Sequence, residues 1–196
     1  MRTFNYSKIK EEKWDSEVLG LIAAIYRYAG KQELYLRQRP DELDKLVEIA
    51  KIRSTEASNA IEGIVTTNTR IKQLVEEKTT PKNRAEEEIA GYRDVLGVIH
   101  KSFDAIPITQ NYILQLHKML YSHMNNPFAG RTKTVQNYIS ATYPDGQTEV
   151  LFTSMAKFET PEALDRICGE YNRVIGNFEV EPLIVIPVFI HDFLCI

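Results

Sequence analysis

Residues Leu183–Ile196 read LIVIPVFIHDFLCI, an almost wholly apolar stretch. A helix of this length spans roughly 21 Å, which is shorter than the roughly 30 Å hydrocarbon core of a bilayer. The stretch therefore predicts a helix that is buried in protein and does not cross a membrane. A free C-terminus is normally polar and loosely ordered. We therefore expect the 196 residues to be the front part of a larger protein.

The composition is that of an ordinary soluble protein. Hydrophobic residues make up 43% and charged residues 26% of the chain, and the formal net charge is −3. No basic stripe favours nucleic acid, no segment has the length of a membrane span, and residues 1–12 are too polar for a signal peptide. The two cysteines, Cys168 and Cys195, indicate neither a disulfide framework nor a metal site. We expect a cytoplasmic protein that binds neither nucleic acid nor membranes.

Apolar residues recur at three- and four-residue spacing, which predicts a mainly α protein. The first such stripe comprises Trp14, Val18, Leu21, Ile22 and Ile25. A second helix should begin at Pro40 and end before Gly63, which suits the C′ position. Its predicted core-facing residues are Leu43, Leu46, Val47, Ala50, Ala57 and Ile61. Thr80-Pro81 predicts the start of a later helix, and Thr160-Pro161 predicts the start of one that ends near Gly176.

One region departs from this helical pattern. Residues Lys133–Ile139 and Thr148–Phe152 are rich in β-branched and aromatic side chains, and Tyr143-Pro144-Asp145-Gly146 between them is a turn signal. We predict a β-hairpin. A lone hairpin is marginally stable in water, so it must pack on helices or receive a third strand.

The segment Ser54–Ile64, STEASNAIEGI, holds the candidate site. Ser58 and Glu62 are four residues apart and share one face of the predicted helix. Gly63 follows, so the Glu62 carboxylate lies at the negative end of the helix dipole, where a cation from another element would stabilise it. The plain interpretation is a solvated charge at a helix end.

These residues resemble a known family. Ser58-x-x-x-Glu62-Gly63 is similar to the inhibitory motif [S/T]-x-x-x-E-[G/N] of Fic-domain proteins. Four further segments resemble successive parts of that family in the same order, namely Ala85–Leu96, Ile108–Leu120, Ala129–Ile139 and Val188–Ile196. The last of these is similar to the helix that leads into the family signature H-P-F-x-[D/E]-G-N-G-R-x-x-R. The resemblance implies a Fic-like helical bundle with a small β-hairpin flap.

The signature itself does not occur among the 196 residues. In the family, its histidine activates a target hydroxyl, its acidic residue holds Mg²⁺, and its glycines and arginines bind the phosphates of ATP. The resemblance thus implies ATP and Mg²⁺ for the family, whereas we expect this chain to lack catalytic residues and a metal site and to bind neither ligand productively.

The resemblance assigns control and target binding to the residues that are present. It implies that Glu62, with Ser58 and Gly63, restrains the nucleotide site by pairing with a signature arginine. It also implies that the hairpin is the flap that holds a target protein carrying a hydroxyl side chain. Our candidates there are Val150, Leu151 and Phe152, although packing of the hairpin on helices explains the same residues equally well.

The predicted organisation has two parts. Residues 1–79 form an N-terminal helical region with the inhibitory motif, and residues 80–196 form the first part of a Fic-like core. We interpret the chain as the regulatory and target-binding portion of a Fic-type protein AMP-transferase, itself catalytically incomplete. The alternative is a stand-alone, antitoxin-like module that inhibits a partner Fic domain. A homodimer stays open.

Overall fold

The computed structural model describes residues 4–38 and 40–196. These residues form seven α-helices, one hairpin and short 3₁₀ helices at Tyr6–Glu11 and Phe103–Ala105. The helices and strands are α1 (Ser16–Gln38), α2 (Pro40–Ile61), α3 (Asn68–Val75), α4 (Arg84–Ser102), α5 (Gln110–Leu120), β1 (Tyr138–Thr142), β2 (Thr148–Thr153), α6 (Thr160–Gly176) and α7 (Pro182–Cys195). The predicted mainly α class with a single small hairpin is confirmed.

The chain divides into two compact units, and the division falls within α5. The first unit comprises the N-terminal segment through Lys13, then Pro107–Leu114 and Gly130–Ile196. Its core lies between α6 and α7, where Ile167, Val174 and Val185 are completely buried. The 3₁₀ helix at Tyr6–Glu11 is held on α6, because Glu170 accepts a hydrogen bond from the Tyr6 backbone N–H at 3.2 Å.

The second unit comprises Trp14–Ile106 and Gln115–Ala129. Leu74 of α3 and Ile89 of α4 are completely buried in it. Gly91 allows α4 and α5 to come close together, since a Cβ there would lie 1.9 Å from the Leu120 carbonyl oxygen. The predicted functional boundary after residue 79 stays a prediction.

The predicted burial of α2 is wrong. Of its expected core residues, Leu46 and Ile61 are 58% and 84% exposed. The side chains that α2 buries are polar, Thr55 and Asn59. The reason is that α2 packs on α3 and α4 with the face that carries Thr55 and Asn59, so most of its apolar stripe lies towards solvent.

Three local expectations are also corrected. Helix α4 begins after Asn83, whose side chain accepts a hydrogen bond from the Glu86 N–H, and not at Thr80-Pro81. Strand β1 begins at Tyr138, five residues later than predicted at Lys133. Helix α7 is buried on one side only, because α6 covers Val185 while nothing in the described residues covers Leu194, which is 72% exposed.

Candidate functional site

Helix α2 ends in a Schellman motif built around Gly63. The Ile64 N–H donates to the Asn59 carbonyl at 2.9 Å, and the Gly63 N–H donates to the Ala60 carbonyl at 3.0 Å. Gly63 adopts φ +75°, a left-handed conformation that residues with a side chain rarely adopt. The predicted end of this helix is confirmed, and the motif fixes the direction in which the chain leaves Glu62.

One polar contact joins the last turns of α2 to another helix, and a second contact lies within α2. The Tyr92 hydroxyl of α4 donates a hydrogen bond to Ser58 Oγ at 2.9 Å. Buried Asn59 donates from Nδ2 to the Thr55 carbonyl at 2.8 Å, within α2 itself. Ser58 is therefore half-buried and held by another helix, whereas Glu62 on the same face of α2 is exposed.

The Glu62 carboxylate has no hydrogen-bond or ion-pair partner among the described residues. It lies at a helix C-terminus, where the backbone carbonyls already create a negative potential. A second negative charge at this position is stabilised when a cation approaches it from outside. The structure thus places Ser58, Glu62 and Gly63 together at one helix end, with the carboxylate available for a cationic partner.

A cleft of about 620 Å³ lies beside α2 in the same unit. Its walls include Thr55 of α2, Val75 of α3, Asp94 of α4 and Met119 of α5. Asp94 accepts hydrogen bonds from His123 Nε2 at 2.7 Å and from Arg93 Nε at 2.8 Å. Burial alone would raise the Asp94 pKa, but these two partners together lower it. No sequence pattern indicates the Asp94–His123 pair, because the two residues are 29 positions apart in the chain.

The pair Arg70–Glu86 was also not predicted. The guanidinium of Arg70 donates to both Glu86 carboxylate oxygens at 2.8 Å, and the Lys82 N–H donates to the same carboxylate at 2.7 Å. The hydrogen bonds from Arg70 outweigh the effect of burial and lower the pKa of Glu86 to about 2. This pair connects α3 to the start of α4. It thereby supports α4, the helix whose Tyr92 hydroxyl binds Ser58.

The hairpin carries the second set of predicted site residues. Tyr143 and Gly146 close the predicted turn, with a hydrogen bond of 2.9 Å from the Gly146 N–H to the Tyr143 carbonyl. Val150, Leu151 and Phe152 of β2 are 54%, 59% and 37% exposed. Every residue of β2 is exposed, so none of these side chains is buried against a described helix.

The pairing of the two strands is interrupted at Leu151. Ile139 pairs with Phe152 and Ser140 pairs with Val150, so Leu151 is the additional residue of a β-bulge. Bulges bend a strand and redirect side chains. Within the described residues β1 and β2 pair only with each other, which leaves the outer edge of each strand unpaired.

The base of the hairpin is attached to the end of α7. Lys133 Nζ donates to Ser154 Oγ at 2.6 Å and to the Ile196 backbone oxygen, and the Met155 N–H donates to the Cys195 carbonyl at 3.0 Å. Desolvation lowers the pKa of Lys133. These contacts fix the hairpin and α7 to each other within the first unit.

Neither a cluster of metal ligands nor the family's signature loop occurs among the described residues. They contain no group of three or more His, Cys, Asp or Glu side chains that could hold a metal ion. The signature loop that supplies the acidic ligand and the phosphate cradle in Fic proteins is not among them. No chemical step through a metal or a nucleotide is therefore assigned to this chain.

None of the described helices is long and apolar enough to cross a membrane.

Comparison with known proteins identifies the fold. No protein-family model matches the sequence, and no curated protein matches it. Among solved structures, the chain is similar to a Fic domain-containing signaling protein from Bacteroides thetaiotaomicron, with a TM-score of 0.61 and 21% sequence identity over 74% of this chain. The chain has a Fic-like fold, as the sequence predicted. It spans about half of that protein, since the match covers 54% of its length.

Proposed function

We propose that this chain is the regulatory and target-binding portion of a Fic-type protein AMP-transferase, in which Glu62 is the inhibitory carboxylate. The observation that carries the proposal is the Glu62 side chain at the end of α2, exposed and without a cationic partner among the described residues. Gly63 and the Tyr92–Ser58 hydrogen bond fix the helix end that presents it.

Inhibition would arise from competition for one guanidinium group. Carboxylates and phosphates are both bidentate partners of arginine. If Glu62 pairs with the arginine that otherwise binds the terminal phosphate of ATP, productive binding of the nucleotide is lost. A coupling of about 1–3 kcal/mol is enough to regulate the reaction while leaving it accessible. ATP and Mg²⁺ would be bound by the signature loop and not by the residues described above.

Target binding is supported by the exposed hairpin. The unpaired strand edges can accept an extended segment of another protein, with backbone hydrogen bonds giving affinity and side-chain contacts giving register. Val150, Leu151 and Phe152 supply the apolar contacts, and the bulge at Leu151 sets their directions. In this proposal the target presents a Ser, Thr or Tyr hydroxyl for modification.

The test measures incorporation of labelled AMP by a protein that contains this chain together with a Fic signature loop. Glu62→Gly should increase auto-AMPylation several-fold, and Glu62→Gln should act in the same direction. The control is Glu56→Gln, which removes an acidic group of α2 that already pairs with Arg53 at 3.2 Å. Unchanged incorporation in both Glu62 variants, or an equal increase in Glu56→Gln, would rule out the assignment.

The flap assignment needs a separate pair of variants. Phe152→Asp should impair modification of the target while auto-AMPylation continues, because the charge disrupts an apolar contact on the hairpin. Phe158→Asp is the matched control, since Phe158 is 81% exposed and lies outside both strands. Leu151→Pro is a further hairpin variant and should have the same effect as Phe152→Asp. Equal impairment by the control would contradict a specific role for the flap.

The alternative is an antitoxin-like module that inhibits a Fic domain on another chain. An unpaired Glu62 is compatible with both functions. Adding the 196-residue chain to an active Fic-type transferase distinguishes the two functions, because only the alternative predicts inhibition that depends on Glu62.

Calorimetry of the 196-residue chain with Mg²⁺ and ATP should show no specific binding, and tight binding would contradict the proposed location of the nucleotide site.

A further inference from the structure

Helix α1 carries an apolar seam that the described structure leaves uncovered. The seam consists of Val18, Leu21, Ile25, Tyr28, Gln32 and Tyr35. The spacing between successive seam residues alternates between three and four, which is the repeat of a coiled coil. Leu21, Ile25, Tyr28 and Tyr35 are between 50% and 61% exposed. No described side chain of α1 is fully buried. The seam spans about two and a half heptads, with one polar residue, Gln32.

Helix α1 is not expected to be stable with this seam exposed to solvent. Gly20 and Gly30 lie within α1, and each glycine in a helix interior costs about 1 kcal/mol relative to alanine. Most helical stability in proteins comes from packing of an apolar face. Helix α1 therefore needs a surface on which Leu21, Ile25 and Tyr28 can pack.

We propose that this surface is the α1 seam of a second copy of the chain, packed antiparallel. With residue 23 on the two-fold axis, Leu21 of each copy packs against Ile25 of the other, and Val18 packs against Tyr28. By symmetry each of these two pairs occurs twice, so the contact has four layers of facing side chains, and all four are apolar. The contact is self-complementary, as a symmetric dimer requires.

Charge complementarity favours this arrangement over other occupants. Glu17 and Lys31 both flank the seam, each directly before one of its residues, and neither has an ion-pair partner among the described residues. The same register places Glu17 of each copy beside Lys31 of the other, giving two symmetric pairs. In a parallel dimer the residues facing Glu17 and Lys31 would be apolar, and no pair would form.

A groove along the C-terminal half of the seam provides a further contact. It has a volume of about 510 Å³ and is lined by Tyr28, Gln32 and Tyr35 of α1 together with Leu43 and Leu46 of α2. The antiparallel register brings Trp14 of one copy to the level of Gln32 of the other, at this groove. Trp14 is the only tryptophan of the chain and is 39% exposed, so its fluorescence reports on the contact.

The first test is sedimentation velocity of the 196-residue chain across about three decades of concentration around the micromolar range. We expect a reversible dimer, because a single pair of helices of this length gives an interface at the lower end of stable ones. Ile25→Glu should weaken the dimer at least a hundredfold. Leu19→Glu is the matched control, since Leu19 is 54% exposed on the same helix but lies outside the seam.

The second test exchanges the charges. Glu17→Lys and Lys31→Glu should each weaken the dimer roughly tenfold, because each creates two like-charge contacts in place of two ion pairs. The double variant should restore wild-type association. Circular dichroism verifies that all variants keep their helical content, so that a loss of dimer is not a loss of fold.

The tryptophan signal completes the design. Emission of Trp14 should shift to shorter wavelength as the dimer forms, and the shift should be absent in Ile25→Glu. A chain that stays monomeric over the whole range overturns the proposal and assigns the seam to another partner. Equal weakening by Leu19→Glu and Ile25→Glu, or charge variants that associate like the wild type, overturn it as well.

Discussion

The Tyr92 hydroxyl donates a 2.9 Å hydrogen bond to Ser58 Oγ, which joins α4 to the helix that presents Glu62. The two residues are 34 positions apart in sequence and both half-buried. This contact and the Schellman motif at Gly63 together fix the end of α2. The candidate inhibitory carboxylate therefore lies on a helix end that is held by hydrogen bonds, although the carboxylate itself has no partner among the described residues.

Tyr92→Phe should destabilise the chain by about 1 kcal/mol, the usual net value of a partly buried hydrogen bond. Ser58→Ala should cost a similar amount, and the double variant should cost less than the sum, because both changes remove the same bond. Urea unfolding measures all three. Tyr121→Phe is the control, since the half-buried Tyr121 hydroxyl has no hydrogen bond among the described residues. Additive losses would contradict a direct Tyr92–Ser58 bond.

Gly63→Ala should destabilise the chain by about 1 kcal/mol, because the left-handed conformation is unfavourable for a residue with a Cβ. The space around Gly63 is open, so the loss comes from the backbone and not from a clash. Gly63→Asn should lose less, since asparagine tolerates positive φ better than alanine does. A larger free energy of unfolding for Gly63→Ala than for Gly63→Asn would contradict this explanation.

Gly91→Ala should destabilise the chain by about 3 kcal/mol, because its Cβ would collide with the backbone of Leu120 and force α4 and α5 apart. Gly97→Ala, six residues further along α4, is the matched control. No atom lies within 4 Å of its added Cβ, and alanine is the better helix former, so a stabilisation of about 0.5–1 kcal/mol is expected. Thermal unfolding should therefore shift in opposite directions for the two variants.

The Arg70–Glu86 pair predicts a specific pH dependence. The folded state lowers the pKa of Glu86 from 4.5 to about 2, so the pair stabilises the fold fully above about pH 4.5 and loses its effect as the pH falls towards 2. Glu86→Gln should cost about 3 kcal/mol near neutral pH, because it leaves Arg70 without its carboxylate.

Urea unfolding at a series of pH values tests this dependence. The difference in unfolding free energy between wild type and Glu86→Gln should shrink steadily below about pH 4.5. Glu88→Gln is the control, because its partner Arg84 is 82% exposed and an exposed pair contributes little. A difference that stays constant with pH would contradict the lowered pKa of Glu86.

Short-range signals were sufficient for much of the fold. Gly63 as the end of α2, Thr160-Pro161 as the start of α6 and Tyr143–Gly146 as the hairpin turn are all confirmed. Each depends on backbone conformations or hydrogen bonds within a few residues of one another. The predicted start of α4 at Thr80-Pro81 is wrong because Thr80 and Asn83 are both good caps, and the hydrogen bonds around Glu86 favour Asn83.

The sequence by itself determined the helices, the turn and the Fic-like order of segments. Only the tertiary structure decided which faces are buried, because burial depends on what packs opposite a helix and not on the helix's own apolar pattern. Thus α2 buries Thr55 and Asn59 and exposes Leu46, and β2 leaves Leu151 in solvent. The partners of Ser58 and Glu86 likewise come from distant parts of the chain, brought within hydrogen-bond distance by the packing of α2, α3 and α4.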